Sequence, residues 1–287
     1  MRQGARPRVR VRTAKPRCLH VNDPELLDIM IAAALDAGRA AHGFFKGDLQ
    51  LAHKKDDSPV TAADHAAEAI ILQRLGASRA DIPIIAEEEV AAGRVPDIGS
   101  VFFLVDPLDG TREFIAGRPE FTVNIALVRA GVPVLGVVYA PASGHLFAGD
   151  VPQGRAVRAT ALHHEVARAA YSPIHVRPAP HAGLTVVGSR SHPSPKTDAY
   201  LEQYSVAGMV SIGSSLKFCL VAGGEADLYP RFGTTMECDT AAGHAVLLAA
   251  GGSVVTAQAK PLMYAKPGFT NPWFIAAGSI APLPLVS

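Results

Sequence analysis

The sequence predicts an α/β fold, and three observations carry that prediction. Apolar residues recur at helical spacing over Leu26–Phe45 and again after Thr61. Apolar runs separated by tight-turn residues fill the stretch from Ile82 to Gly149, in the manner of an antiparallel meander. Beyond Leu184, short strands alternate with helices, which signals an α/β layer. A chain of 287 residues has room for two domains. We expect an N-terminal α+β domain over residues 22–155 and a C-terminal α/β domain over residues 156–287. The change falls within the Ala-, His- and Pro-rich stretch 150–183.

In chain order, Asp23-Pro24-Glu25 reads as the start of the first helix. Asp23 suits an N-cap, Pro24 the first helical position, and Glu25 the positive helix end. His53–Pro59 is a polar loop. Thr61-Ala62-Ala63-Asp64 has the spacing of a capping box and opens a helix to about Leu75. Strands follow at Ile82–Ala86 and Val101–Val105. Next come Phe121–Val128, Val132–Ala140 and His145–Gly149, joined by turns at Ala130-Gly131 and Ser143-Gly144. The second half reads as strands at Leu184–Gly188, Met209–Ile212 and Ala226–Tyr229, with terminal strands near Val254 and Phe274. Helices fall at Thr197–Tyr204, Ser215–Ala222 and Thr240–Ala250.

Composition excludes several classes. The longest apolar stretches, such as Ile29–Leu35 and Ala245–Ala250, are far shorter than the ~20 residues of a membrane-spanning helix. Three scattered cysteines make neither a disulfide framework nor a zinc knuckle, and a cytoplasmic setting is expected. The formal charge of +1 is uneven: residues 1–20 hold six arginines and one lysine without an acid, leaving 20 basic against 26 acidic groups beyond them. The acidic body argues against a nucleic-acid surface. Residues 1–21 are expected to be a basic, disordered head outside the fold. Its charge leaves open a peripheral association with the cytoplasmic face of the inner membrane.

Three acidic clusters sit where strands end, at the rim of a sheet where ligands bind. Glu87-Glu88-Glu89 follows Ile82–Ala86, and taken alone reads as a solvated turn. Asp106-Pro107-Leu108-Asp109-Gly110-Thr111 follows Val101–Val105 and is harder to explain as a plain turn. Two aspartates flank a rigid proline, and such a turn can aim both carboxylates and the Leu108 carbonyl at one hard divalent cation. Gly110-Thr111 then opens a short helix able to receive a phosphate. Glu237-Cys238-Asp239 precedes a helix, and Asp239 alone reads as its N-cap. Asp64 is ambiguous as well: a capping-box member, or a partner for a threonine hydroxyl that orients water. No G-x-S-x-G elbow or partnered cysteine suggests a covalent nucleophile. His163-His164 reads as surface, and Trp273 as packing.

Together these motifs resemble the inositol monophosphatase superfamily of metal-dependent, lithium-sensitive phosphatases. The match takes in Lys55-x-Asp57-Ser58-Pro59-Val60-Thr61-x-x-Asp64, the glutamates, Asp106–Thr111 and Asp239-x-Ala-Ala-Gly243, and covers roughly residues 24–278. Within it, Glu120–Leu127, Ser189–His192, Gly213–Cys219 and Leu228–Gly233 resemble the CysQ-type 3'(2'),5'-bisphosphate nucleotidases. The resemblance implies an αβαβα layered sandwich of the inositol monophosphatase and fructose-1,6-bisphosphatase type. It also implies removal of the 3'-phosphate of adenosine 3',5'-bisphosphate (PAP), with its sulfated relative PAPS as a further candidate. By position, Glu87, Asp106 and the Leu108 carbonyl would hold one Mg²⁺, and Asp106, Asp109 and Asp239 a second. Gly110 and Thr111 would hold the phosphate, Asp64 with Thr111 would orient or deprotonate water, and Glu87 would hold that water or a third ion.

A bisphosphate asks for further cations, for which Lys217 and Arg231 are the candidates, with Arg190 and His192 behind them. Two positions depart from the family pattern: Cys238 stands where an aromatic is common, and Arg112 where lysine is usual. The rival reading is an inositol-1-phosphate or related polyol monophosphatase. A remoter one is a non-catalytic, Mg²⁺-responsive binding protein. Oligomeric state stays open, a homodimer included.

Overall fold

A computed structural model describes residues 23–47, 51–53, 59–161, 163–167, 170–189 and 195–285. The basic head, Lys55, Asp57, Arg190 and His192 lie outside the described residues. The elements run α1 (Asp23–Phe44), β1 (Leu51–His53), β2 (Pro59–Thr61), α2 (Ala62–Ser78), β3 (Ile84–Ala86), α3 (Glu87–Ala91), β4 (Val101–Asp109) and α4 (Thr111–Ile115). Next come β5 (Thr122–Arg129), β6 (Val132–Ala140), β7 (His145–Asp150), β8 (Arg155–Thr160) and β9 (Ser172–Pro173). The chain continues through β10 (Leu184–Ser189), α5 (Pro195–Leu201), β11 (Val206–Ile212), α6 (Leu216–Ala222), β12 (Leu228–Arg231), α7 (Cys238–Ala249), β13 (Ser253–Thr256) and β14 (Phe274–Ala277).

Two sheets carry the fold. The larger has the order β3-β4-β5-β6-β7-β8-β9, and the smaller β11-β10-β12-β14-β13. The expected meander is present: β4 through β9 pair antiparallel in sequence order, and β3 adds to the edge in parallel. Because β8 and β9 belong to the larger sheet, the chain changes sheet between Pro173 and Leu184.

Period-two alternation sorts the side chains into layers. Phe103, Val105, Ile125, Leu127, Val137 and Tyr139 face α1 and α2, burying Leu26, Met30, Ala34, Ala67 and Ile71 with them. Their neighbours Phe102, Leu104, Ala126, Val128, Val138 and Ala140 face the other way, onto α6 and α7. The smaller sheet repeats the device. Val187, Tyr229, Phe274 and Ala276 pack on the α6–α7 side, while Val186, Leu228, Ile275 and Ala277 pack on Tyr200 and Leu201 of α5. The result is the helix–sheet–helix–sheet–helix sandwich that the family resemblance implies. The central α7 is sheathed on both sides, which explains its run of buried Ala241, Ala242, Gly243, Ala245 and Ala249: small side chains let two sheets approach one helix.

Helix starts differ in detail from the sequence expectation. Thr61 and Asp64 do form a reciprocal capping box. Asp23 lies inside α1, and its carboxylate accepts both terminal guanidinium nitrogens of Arg129 at 2.5–2.6 Å, fastening α1 to β5. α7 starts at Cys238 with Glu237 at the N-cap position, so Asp239 sits in the first turn and is not the cap.

Asp227, just before β12, anchors the smaller sheet. Its carboxylate takes two bonds from Arg177 (2.8 and 2.7 Å) and one from the Thr185 amide (2.7 Å). Burial pushes the Asp227 carboxyl up, but the Arg177 fork and the amide outweigh it and hold the group below 3.8. Asp227→Asn should therefore lower unfolding stability at pH 7 by about 2 kcal/mol, discounted because Arg177 is partly solvated. A depressed folded-state pKa makes this contribution complete above the unfolded value, and it is lost as pH falls through the folded one. Urea melts of both proteins should converge as the pH falls below the ordinary aspartate range; a gap unchanged by acid would contradict the linkage.

Candidate active site

The acidic clusters converge where the larger sheet meets α7. Strand β3 runs parallel to β4 with Ala86 opposite Val105, so Glu87 and Asp106, the next residues, emerge side by side. Beyond Asp106 the β4–β5 register slips: Asp106 pairs with Asn124 and Asp109 with Thr122, three steps on one strand against two on the other. In a regular strand, residues three apart face opposite sides; one inserted residue restores Asp106 and Asp109 to the same side. The Asp106 carboxylate accepts the Leu108 amide at 3.0 Å, closing the turn around Pro107. Gly110 then adopts φ 94°, and a Cβ there would lie 3.1 Å from the Glu120 carbonyl oxygen, so glycine is required for the chain to turn into α4.

From the far side α7 delivers Cys238 and Asp239. Ligand atoms of Glu87, Asp106 and Cys238 lie within 4.8 Å of one another. Asp239 accepts the Met236 amide at 2.8 Å, reaching back over its own helix start. Withdrawal from water raises the Asp106 carboxyl well above its ordinary value, and the charges of Glu87, Asp109 and Asp239 add to it. The same desolvation, with repulsion from Asp109 and Glu87, pushes Asp239 up to about 7. Asp109 rises to about 6, held back by Lys217 and the Ser215 amide. Such mutual repulsion among carboxylates, with a carbonyl-bearing turn between them, is the donor set that fits a hard divalent cation. The thiol of Cys238 is uncharged, burial pushing it well above the usual range.

Asp64 belongs to the cap and also reaches Thr111. Its Oδ2 accepts the Thr61 amide (2.8 Å) and hydroxyl (2.6 Å), which fixes the carboxylate as part of the α2 cap. Its Oδ1 lies 3.4 Å from the Thr111 hydroxyl, which is also 3.3 Å from the Leu108 carbonyl. Lys217, on α6, is buried; its ammonium donates to the Ser214 carbonyl and lies 5.7 Å from the Tyr229 ring centroid. Burial lowers Lys217 to about 8, and the nearby Asp109 supports its charge. Arg231 ends β12, donates to the Thr234 carbonyl at 3.2 Å, and has a buried Nε without a hydrogen-bond partner among the described residues.

Other acids in the motifs have different duties. Glu89 pairs with Arg94 (2.6 and 2.7 Å) at the surface. Glu88 is buried, and its amide donates to Glu68 Oε2 at 2.8 Å; burial pushes Glu68 up to about 7. Glu237 is wholly buried and clamps the chain after Met263 by accepting the Ala265 (2.9 Å) and Lys266 (3.0 Å) amides. Sequence reasoning missed Ser215, whose hydroxyl donates to Asn124 Oδ1 at 2.6 Å and lies 2.9 Å from the Thr122 hydroxyl. That bridge ties α6 to the β5 residues opposite Asp106 and Asp109. Only the polar Thr122 and Asn124 in an otherwise apolar stretch signalled it.

A layered sandwich with an acidic centre between its halves defines a class, and residues 22–280 match the inositol monophosphatase family. The chain belongs to that family. It is 45% identical over 252 residues to the 3'(2'),5'-bisphosphate nucleotidase CysQ of Salmonella typhimurium, covering 87% of this chain and 98% of that protein. The protein of the same name from Escherichia coli K12 is 44% identical over the same span. Among solved structures, CysQ from Bacteroides thetaiotaomicron superposes with a TM-score of 0.74 at 36% identity, covering 89% of this chain and 97% of that one. The inositol monophosphatase from Anabaena gives 0.70 at 29% identity, with 90% and 93% covered.

Crowded like charges make a direct prediction. Saturating Mg²⁺ should raise the melting temperature relative to EDTA, since a ligand at a hundred times its Kd stabilises by about 2.7 kcal/mol. Asp106→Asn, which removes one of the repelling charges, should melt no lower than wild type in EDTA and should lose the Mg²⁺-induced rise. An undiminished rise in the variant would remove Asp106 from the ligand set.

Proposed function

We propose that this chain is a Mg²⁺-dependent phosphomonoesterase that hydrolyses the 3'-phosphate of adenosine 3',5'-bisphosphate to AMP. The observation that carries the reading is the convergence of Glu87, Asp106, Asp109 and Asp239 from three separate segments beside the Thr111–Asp64 pair. Glu87, Asp106, the Leu108 carbonyl, Asp109 and Asp239 would hold two Mg²⁺ ions, with a weaker third at Glu87. When bound, they supply the Lewis acidity that lowers the pKa of water and neutralises charge developing on the phosphoryl oxygens.

The chain's own residues do the rest. Gly110 and Thr111 receive the phosphate at the start of α4. The Thr111 hydroxyl accepts a proton from the attacking water while its own passes to Asp64 Oδ1. Asp64 is ready for this because Thr61 already pins its other oxygen. The water oxygen bonds to phosphorus, the bond from phosphorus to the 3'-oxygen breaks, and the departing oxygen takes a proton from solvent. No covalent enzyme intermediate is needed.

The choice of a bisphosphate rests on the named relatives and on Arg231. A guanidinium with a buried Nε that has no partner among the described residues suits a second phosphate better than a polyol hydroxyl. Lys217 stands beside Asp109 and would tune that carboxylate while adding positive charge. No helix among the described residues is long and apolar enough to cross a membrane. We place the protein in the cytoplasm on its few, scattered cysteines.

The test is phosphate release from PAP and from inositol 1-phosphate, each with Mg²⁺ and with or without Li⁺. PAP should be the far better substrate and Li⁺ should inhibit; equal rates, or the reverse order, would favour the polyol monophosphatase. Asp109→Ala should lower kcat by at least about a thousand-fold while keeping the native circular dichroism. Arg231→Ala should raise KM for PAP about tenfold and leave inositol 1-phosphate hydrolysis nearly unchanged.

A further inference from the structure

A second constellation of metal-binding side chains lies at the C-terminal end of α1, and none of its members belongs to the acidic centre. His42, in the last turn of α1, and His164, beyond β8, point ring nitrogens at each other: His42 Nδ1 and His164 Nε2 are 3.2 Å apart. The remaining nitrogen of His164, Nδ1, lies 2.7 Å from the hydroxyl of Tyr139, whose ring is buried against α1. A Cβ on Gly38 would fall 2.4 Å from that ring, so a helical glycine at position 38 is what admits Tyr139 to this place. Both histidines line an open cleft of about 440 Å³ together with Arg39, Ser143, Thr160 and His163.

We propose that His42 and His164 form a site for a divalent transition-metal ion of the zinc class, with water from the cleft completing the coordination. Two nitrogens bound at 2.0–2.1 Å to one tetrahedral ion stand about 3.3 Å apart, close to the separation these two already have. The Tyr139 hydroxyl stands where metal-binding histidines keep a hydrogen-bond partner on the other ring nitrogen.

The metal-free arrangement explains why the separation persists without an ion. With Tyr139 donating to Nδ1, His164 carries its proton on Nε2 and donates it to His42 Nδ1. Exchange of the His164 tautomer through solvent moves that proton to Nδ1, where it is donated to the Tyr139 oxygen. Two lone pairs then face each other across the gap, no net proton is lost, and a tilt of the two rings aims both at an ion beside the line that joins them. His163 and His164 both adopt positive φ, 51° and 62°, so the backbone bears a local cost to present these rings.

Untagged protein held in saturating Mg²⁺, so that the carboxylate centre is filled, is titrated with Zn²⁺ by calorimetry. One equivalent should bind and raise the melting temperature, because the ion would tie the end of α1 to the chain after β8. His42→Ala and His164→Ala should each abolish that equivalent, and His181→Ala, an exposed turn residue, should retain it. Tyr139→Phe should weaken binding about tenfold, as loss of an outer hydrogen bond does. Electron paramagnetic resonance of wild-type protein loaded with Cu²⁺ should show nitrogen coordination, a readout that needs no variant to fold. Absence of a Zn²⁺ equivalent, retention of it in both histidine variants, or a Cu²⁺ spectrum without nitrogen would each overturn the site.

Discussion

Repulsion among carboxylates is the constraint on which the rest of the structure depends. Asp106 and Asp239 are pushed up chiefly by loss of water and then by one another and their neighbours. No sequence would place Glu87, Asp106, Asp109 and Asp239 together for stability, because like charges in a partly desolvated space oppose folding. The scaffold therefore has to hold them against their own field. Asp106 and Asp109 sit on β4, which is paired on both sides; Asp239 sits on α7, sheathed by both sheets; and Lys217 is buried nearby as a fixed countercharge.

The geometry of the centre follows from two backbone devices. The parallel β3–β4 pairing sets Glu87 next to Asp106, and the one-residue slip in β4–β5 brings Asp109 round to the same side. Both are properties of register, so one further residue between these acids would turn every later side chain of the strand to the opposite face. The Ser215–Asn124–Thr122 bridge then fixes α6 against the slipped segment, so Lys217 is carried with it.

Most of the layered fold could be read from the sequence, because the apolar runs of β4 to β7, separated by tight turns, and the helical spacing in α1 are strong, local signals. The change of sheet was not sharp, since β8 and β9 are short and continue the larger sheet past residue 155. At the site, local chemistry misassigned what only the fold can decide. Three consecutive glutamates look alike in sequence, yet Glu87 faces Asp106, Glu88 is buried beside Glu68, and Glu89 pairs with Arg94 outside. Asp239 resembles a helix cap, but Glu237 occupies that position, which frees Asp239 for the acidic centre. His163-His164 reads as surface because its partners, His42 and Tyr139, are 122 and 25 residues distant from His164.

Asp64 shows why a structural role and a functional one need not compete. A capping box has to satisfy amides at the start of α2, and it does so with the Thr61 hydroxyl and only one of the two Asp64 oxygens, Oδ2. The second oxygen is left to face Thr111 at a fixed distance, with its rotamer set by a bond that any helix start would want. Orientation of the threonine thus comes from folding forces already required, and the side chain is ordered before a substrate arrives. Replacing Asp64 would remove both at once. The contributions separate only through Thr111, which belongs to the site and has no part in the cap.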